Sequence, residues 1–257
     1  MKGIIRLCER LAPPELAMPS DNIGLIAGSA TATVSGVVVA LDLTSAALDM
    51  AEKNRCNLIV VHHPPIFYPI KRLDAATPQG ALLMRAIKGG ISVYAMHTNL
   101  DSAPRGLNSH VAALLGLRKI RPATAQGITY RIGVLPRVMD GARFARHVKQ
   151  KLGLSGVRLY GGRVGAISTV AVCTGSGADL LANALSHGAE ALVTGDVRHH
   201  HAIEAAECRA ALVDAGHWGT ERPMAGLVSG YLKKMMVKSR KRIRIISLCV
   251  EEPYESY

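Results

Sequence analysis

The sequence predicts an α/β fold of two similar lobes, each a mainly parallel or mixed sheet flanked by helices, with a site in the cleft between them. Three observations carry that expectation. Short apolar runs of strand length alternate with helical segments, the pattern of parallel sheets. The second half of the chain repeats the order of the first. Strand after strand ends beside a histidine or carboxylate, and open α/β sheets collect ligands at those ends. The lobes are expected over residues 1–125 and 126–257, with the last strand free to cross to the first lobe.

Ile4, Leu7, Cys8 and Leu11 share one face of an opening helix. Pro19-Ser20-Asp21-Asn22-Ile23-Gly24-Leu25 then turns into a short extended piece. Residues 37–41 form a buried strand closing on Asp42, and Thr44 caps a helix that runs to about Arg55. Residues 57–61 are the next strand. Residues 81–88 form a helix stopped by Gly89-Gly90, and 91–95 a third strand. Residues 107–115 are helical, and 119–121 a short edge strand.

In the second half, strands are expected at 129–135, 157–160, 169–173, 191–194 and 211–214. Helices are expected at 141–152, 178–186 and 201–207. Met224, Leu227, Val228, Tyr231, Leu232 and Met235 form an apolar stripe of helical period. Residues 243–250 are a final strand, and the tail beyond carries no assignment.

The repeat is an internal duplication. Val37-Val38-Val39 falls on Val170-Ala171-Val172, and the same spacing carries Leu58 to His63 onto Ala191 to Asp196. With a different spacing, His97 falls on His217 and Asp101 on Glu221. A His-x-x-x-carboxylate in one half thus meets its counterpart in the other.

Composition excludes several classes. The 257 residues are 49% hydrophobic, enough for a substantial core and against disorder. No apolar run is long enough to span a bilayer, and charges interrupt the apolar N-terminus, against a signal peptide. Five scattered cysteines without a CxxC pair suggest reduced thiols and a cytoplasmic location. The net charge of +12 suits anionic partners, including nucleic acid, although only 4% of residues are aromatic, too few for a base-stacking platform. Part of the charge lies in Lys233-Lys234 and in residues 238–244.

Val60-Val61-His62-His63-Pro64-Pro65 concentrates the chemistry. Neighbouring residues on a regular strand face opposite ways, so the backbone must leave strand geometry for both imidazoles to serve one site. The prolines favour that departure. Asp42, His62, His63, His97 and Asp101 follow strand ends in the first half, and Asp196, Asp214, His217 and Glu221 in the second. This exceeds the needs of one tetrahedral metal and suits two divalent first-row ions, Zn, Fe, Mn, Co or Ni, with a bridging carboxylate. Two such ions acidify a water and polarise a substrate oxygen, which points to hydrolysis.

Taken in order, Asp21-Asn22-Ile23-Gly24-Leu25, His62-His63-Pro64, His97-Thr98-Asn99-Leu100-Asp101, Thr194-Gly195-Asp196 and Asp214-Ala215-Gly216-His217-Trp218-Gly219-Thr220-Glu221 resemble the Nif-three-like family of dinuclear-metal-centre proteins. Its members are also called GTP cyclohydrolase 1 type 2 homologs. The resemblance runs from about residue 4 to 250. It implies metal ligands at His62, His63, Asp101, His217 and Glu221, with Glu221 as the bridge. It places His97 and His200 close to the metals as proton-handling or substrate-contacting residues, and it implies a homohexamer. His199 and His201 read as incidental. Two departures stand out. Ser20 occupies a position where the family usually has Trp, and residues 117–129 are too few for the extra domain of some relatives.

The expected function is therefore a metal-dependent hydrolase acting on a nucleotide or similar small anion, GTP by resemblance. The alternative is a non-catalytic metal-binding ring that binds nucleic acid or a protein partner. Weaker features remain. Gly175-Ser176-Gly177 is a tight turn whose amides could cradle a phosphate. Asp42 and Asp214 could orient a ligand histidine or serve as caps. Trp218 could stack on a base or fill a subunit contact.

Overall fold

The computed structural model describes residues 1–161, 165–239 and 242–252. Arg240 and Lys241 of the basic run, and the last five residues of the tail, lie outside the described residues. The chain forms two compact units. One is Met1–Ala103 together with the chain from Met224 onward, the other Pro104–Pro223.

The first unit opens with α1 (Lys2–Leu11), whose Ile4, Leu7, Cys8 and Leu11 are buried as their spacing requires. β1 (Gly24–Ala27) and β2 (Gly36–Ala40) lead to α2 (Ser45–Lys53), where the Thr44 side chain accepts the Ala47 amide as an N-cap. β3 (Leu58–Val61), α3 (Pro78–Lys88), β4 (Ser92–Ala95) and the one-turn α4 (Thr98–Ser102) follow.

The second unit contains α5 (Leu107–Leu114), β5 (Arg118–Ala125), β6 (Ile128–Met139), α6 (Gly141–Leu152), β7 (Arg158–Tyr160) and β8 (Ile167–Ser176). After a 3-10 turn come α7 (Leu181–Ser186), β9 (Ala191–Gly195), α8 (His199–Glu207), β10 (Ala211–Asp214) and α9 (His217–Glu221). The chain then returns to the first unit as α10 (Pro223–Lys238) and β11 (Arg244–Ser247).

Both sheets are mixed. The first has the order β1-β4-β3-β2-β11, parallel throughout except for β1 on β4. The second has the order β5-β6-β8-β9-β10-β7, with β8, β9 and β10 parallel and the rest antiparallel. The duplication is now topological: β1-β4-β3-β2 matches β7-β10-β9-β8, an antiparallel edge strand followed by three parallel ones. The two sheets diverge next, where β11 runs parallel to β2 but β6 runs antiparallel to β8.

β2 and β3 are buried at every position. Sheets covered on both faces need continuous apolar strands, which is why these read as unbroken Val, Ile and Leu runs. On one face Val38, Ile59, Val61 and Val93 pack with Leu48 of α2 and Leu83 of α3. The second unit repeats this with Ala171, Leu192 and Leu212 against Leu181 and Ala205.

The division expected at 125/126 is not where the structure divides. Residues 118–125 are not a short edge strand of the first lobe but an eight-residue partner of β6. Gln126 and Gly127 both take positive φ, 53° and 78°, the requirement of a two-residue type I′ hairpin. That turn ties β5 into the second sheet. The final strand pairs with β2 in the first sheet, the crossing that the sequence left open.

Candidate metal centre

In the first unit, the backbone leaves strand geometry at the histidine pair. The amides of His62 and His63 both donate to the Leu41 carbonyl, at 3.0 and 3.1 Å. One ladder position therefore holds two residues, and both rings reach the same side. The His62 and His63 ring centroids lie 5.1 Å apart, and His97 stands 5.3 and 5.7 Å from them. The three imidazoles offer ligand atoms within 4.8 Å of one another. Asp101, one turn along α4 from His97, places its carboxylate 3.6 Å from His62 Nε2.

Each ring is held by an oxygen on its Nδ1. His62 Nδ1 donates to the Met96 carbonyl at 2.7 Å, His63 Nδ1 to Asp42 at 2.7 Å, and His97 Nδ1 to Asp21 at 2.8 Å. This is the arrangement that sets the tautomer of a metal-ligating histidine and leaves Nε2 for the ion. At His62 the consequence is sharp, because a carbonyl can only accept. The His62 Nε2 faces the Asp101 carboxylate, so a nitrogen and an oxygen donor of the kind that can share one cation stand together. Asp21 is also anchored by the amide and hydroxyl of Thr98. Burial pushes its carboxyl up, but the bonds from His97 and Thr98 outweigh this and hold it below the usual range.

In the second unit, His217 opens α9 and Glu221 lies one turn on, so both point from one helix face. His217 Nδ1 donates to Asp196 at 2.6 Å, and Nε2 lies 3.0 Å from the buried Glu221 carboxylate. An imidazole between two carboxylates is held protonated in the metal-free chain. Its pKa is raised to about 9, chiefly by the Glu221 bond, against the opposing cost of burial and with help from Asp196. The backbone is shaped to this pair. Gly175 takes φ +65°, and a Cβ there would lie 2.2 Å from Glu221 Oε1. A Cβ on Gly195 would meet the His217 amide nitrogen at 2.5 Å. The duplication therefore replaces His62-His63 with Gly195-Asp196, in which the glycine admits α9 and the aspartate holds His217.

A family model described as Duf34/NIF3 (NGG1p interacting factor 3) matches residues 1–253. The chain belongs to the DUF34/NIF3 family. A Clostridium acetobutylicum relative named GTP cyclohydrolase 1 type 2 homolog is 32% identical over 249 residues, covering 93% of each chain. Among solved structures, a Bacillus cereus protein related to NIF3 superposes with a TM-score of 0.92 at 24% identity, covering 99% of this chain and 98% of that one. Reduced HcgD from Methanocaldococcus jannaschii superposes with a TM-score of 0.81 at 27% identity, covering 97% of both chains.

Within this NIF3-family chain, the structure sorts the remaining sequence candidates. His97 joins His62 and His63. His200 is exposed in the first turn of α8, in a separate group with Asp179 and His201. His201, read from sequence as incidental, is buried and structural. Its Nδ1 accepts the Arg198 amide and its Nε2 donates to Asp179, at 3.1 and 2.8 Å. Asp42 orients His63, whereas Asp214 accepts the Gly216 amide as a turn residue, and burial raises its pKa. The phosphate-cradle reading of Gly175-Ser176-Gly177 fails, because the Gly175 and Gly177 amides donate to Thr220 and Thr194 hydroxyls. The Trp218 ring carries the Arg222 guanidinium 4.6 Å from its centroid, and Arg222 in turn bonds the Leu152 and Gly153 carbonyls at the end of α6. Among the described residues no helix is long and apolar enough to cross a membrane.

Proposed function

We propose that this chain holds two divalent metal ions through His62, His63, Asp101, His217 and Glu221 and hydrolyses a nucleotide or similar small anion. The observation that carries the reading is the orientation of the imidazoles. Four rings from three strand ends each give Nδ1 to an oxygen, and two of them direct Nε2 at a carboxylate. Histidines that merely cap strands have no need of this common orientation. The nitrogen and oxygen donor set accepts Zn, Fe, Mn, Co or Ni.

Bound divalent ions supply Lewis acidity and a water acidified toward neutral pH. The protein residues do the rest. Asp42, Asp196 and the Met96 carbonyl hold the ligand rings in one tautomer. Asp21 holds His97 beside His62 and His63, where its imidazole is placed to pass a proton to or from a bound substrate. His200 is the second candidate for proton handling or substrate contact. The name carried by the relatives makes GTP the first substrate to test, and the homohexamer implied by resemblance is part of the same proposal.

The test reloads metal-stripped protein with Zn, Fe or Mn and assays GTP and a nucleotide panel, with metal content measured in parallel. Two ions per chain and metal-dependent product are expected, both reduced in His217→Ala. Equal rates in wild type and variant would overturn the catalytic reading. Two ions retained by the variant would remove His217 from the ligand set.

A further inference from the structure

Much of the +12 charge has no role in the metal centre. Three of its cations meet in the first unit at a cavity of 810 Å³ formed by α1, residues 31–34 and the C-terminal end of α10. Arg6 and Arg10 stand one helical turn apart on α1, so both guanidinium groups serve the same rim. Lys238 joins them from the last turn of α10, where it offsets the partial negative charge of the helix end. Among the described residues no carboxylate lines the cavity and none of the three cations forms an ion pair.

The rest of the lining is mainly aliphatic, with Thr31, Thr33 and Ser239 as its uncharged polar members. Ile4, Leu7, Val34, Met235, Met236 and Ile243 supply the apolar wall, and among the described residues no aromatic ring lines it. The size falls within the roughly 300–1,000 Å³ of small-molecule sites. Unpaired cations at the rim exclude a cationic ligand, and the lack of a stacking ring disfavours a nucleobase. Flexible methionines suit an alkyl chain of variable shape.

We propose that this cavity binds a single-chain aliphatic anion of the fatty-acid type. The tail lies against the aliphatic wall and the carboxylate meets Arg6 and Arg10, whose planar guanidinium forks match it. The site is independent of the metal ligands.

Calorimetric titration of the full chain with dodecanoate, kept below its micelle concentration, tests this. One saturable site per chain is expected. Arg6→Gln with Arg10→Gln should weaken it by about tenfold or more, since charge-assisted hydrogen bonds are lost. Thr33→Trp, a bulky change at an exposed lining position, should block the tail with every charge retained. Both changes lie on exposed positions, and circular dichroism checks the fold. Dodecylamine and inorganic phosphate should fail to compete. Absence of saturable binding, or equal affinity in the double arginine variant, would overturn the proposal. So would binding to phosphatidylglycerol vesicles without binding to monomeric dodecanoate, which would make the face a membrane-docking surface. Displacement of dodecanoate by a single-stranded oligonucleotide at lower concentration would reassign it to nucleic acid.

Discussion

At the scale of single residues, the candidate ligands depend on partners that are far away in sequence. Asp42 and His63 are 21 residues apart, as are Asp196 and His217, and Asp21 and His97 are 76 apart. Asp42→Asn should lower metal affinity roughly 10- to 100-fold, the usual cost of losing a carboxylate behind a ligating histidine, with circular dichroism unchanged. Equilibrium dialysis measures it, and unchanged affinity would detach Asp42 from the site. His217 gives a pH signature. Its folded pKa of about 9 lies above the ordinary 6.5, so the metal-free chain gains stability that is complete below about pH 6.5. That stability is lost as pH rises through about 9, and denaturant midpoints across this window should fall in wild type but be flatter in His217→Ala. Gly175→Ala should cost about 2 kcal/mol, because a left-handed residue acquires a Cβ against Glu221 Oε1. The histidines and acids were legible in sequence, since His-x-x-x-carboxylate is a local pattern. The orienting roles of Asp21 and Asp196 are not legible there, because those partners are set by chain folding rather than by spacing.

At the scale of elements, the buried parallel strands were legible and the small pieces were not. Unbroken runs such as Leu58–Val61 identify a strand covered on both faces. The helices α4 and α9 have five residues each, less than two turns, too short for an apolar period to show. Yet these two carry Asp101 and Glu221. The β5–β6 hairpin is hard to read from sequence because Gln-Gly is a weak form of the Asn-Gly signal for a type I′ turn. A buried hydroxyl ties α9 to β8. Thr220 Oγ1 accepts the Gly175 amide at 3.0 Å and lies 2.9 and 3.1 Å from the His217 and Gly216 carbonyls. Thr220→Val keeps the volume but leaves the Gly175 amide buried without that acceptor. A loss of about 1–3 kcal/mol in denaturant unfolding is expected, with weaker metal binding in proportion to the loosened Glu221.

At the scale of the whole molecule, each unit has its own core and part of the proposed ligand set. His62, His63 and Asp101 belong to the first unit, and His217 and Glu221 to the second. Units with separate cores can unfold separately in the metal-free chain. An ion that binds only folded protein stabilises by mass action, by about 2.7 kcal/mol per site at a hundredfold excess over Kd. If all five residues are ligands, divalent metal must stabilise both units. Hydrogen exchange separates the two readings, because amides of β2 and β3 report the first core and those of β8 and β9 the second. Added Zn or Mn should slow exchange in both sets in wild type. In His217→Ala with Glu221→Gln, protection of β8 and β9 should no longer respond to metal. Metal-dependent protection confined to β2 and β3 in wild type would leave His62, His63 and Asp101 as the ligands and return His217 and Glu221 to a purely structural ion pair.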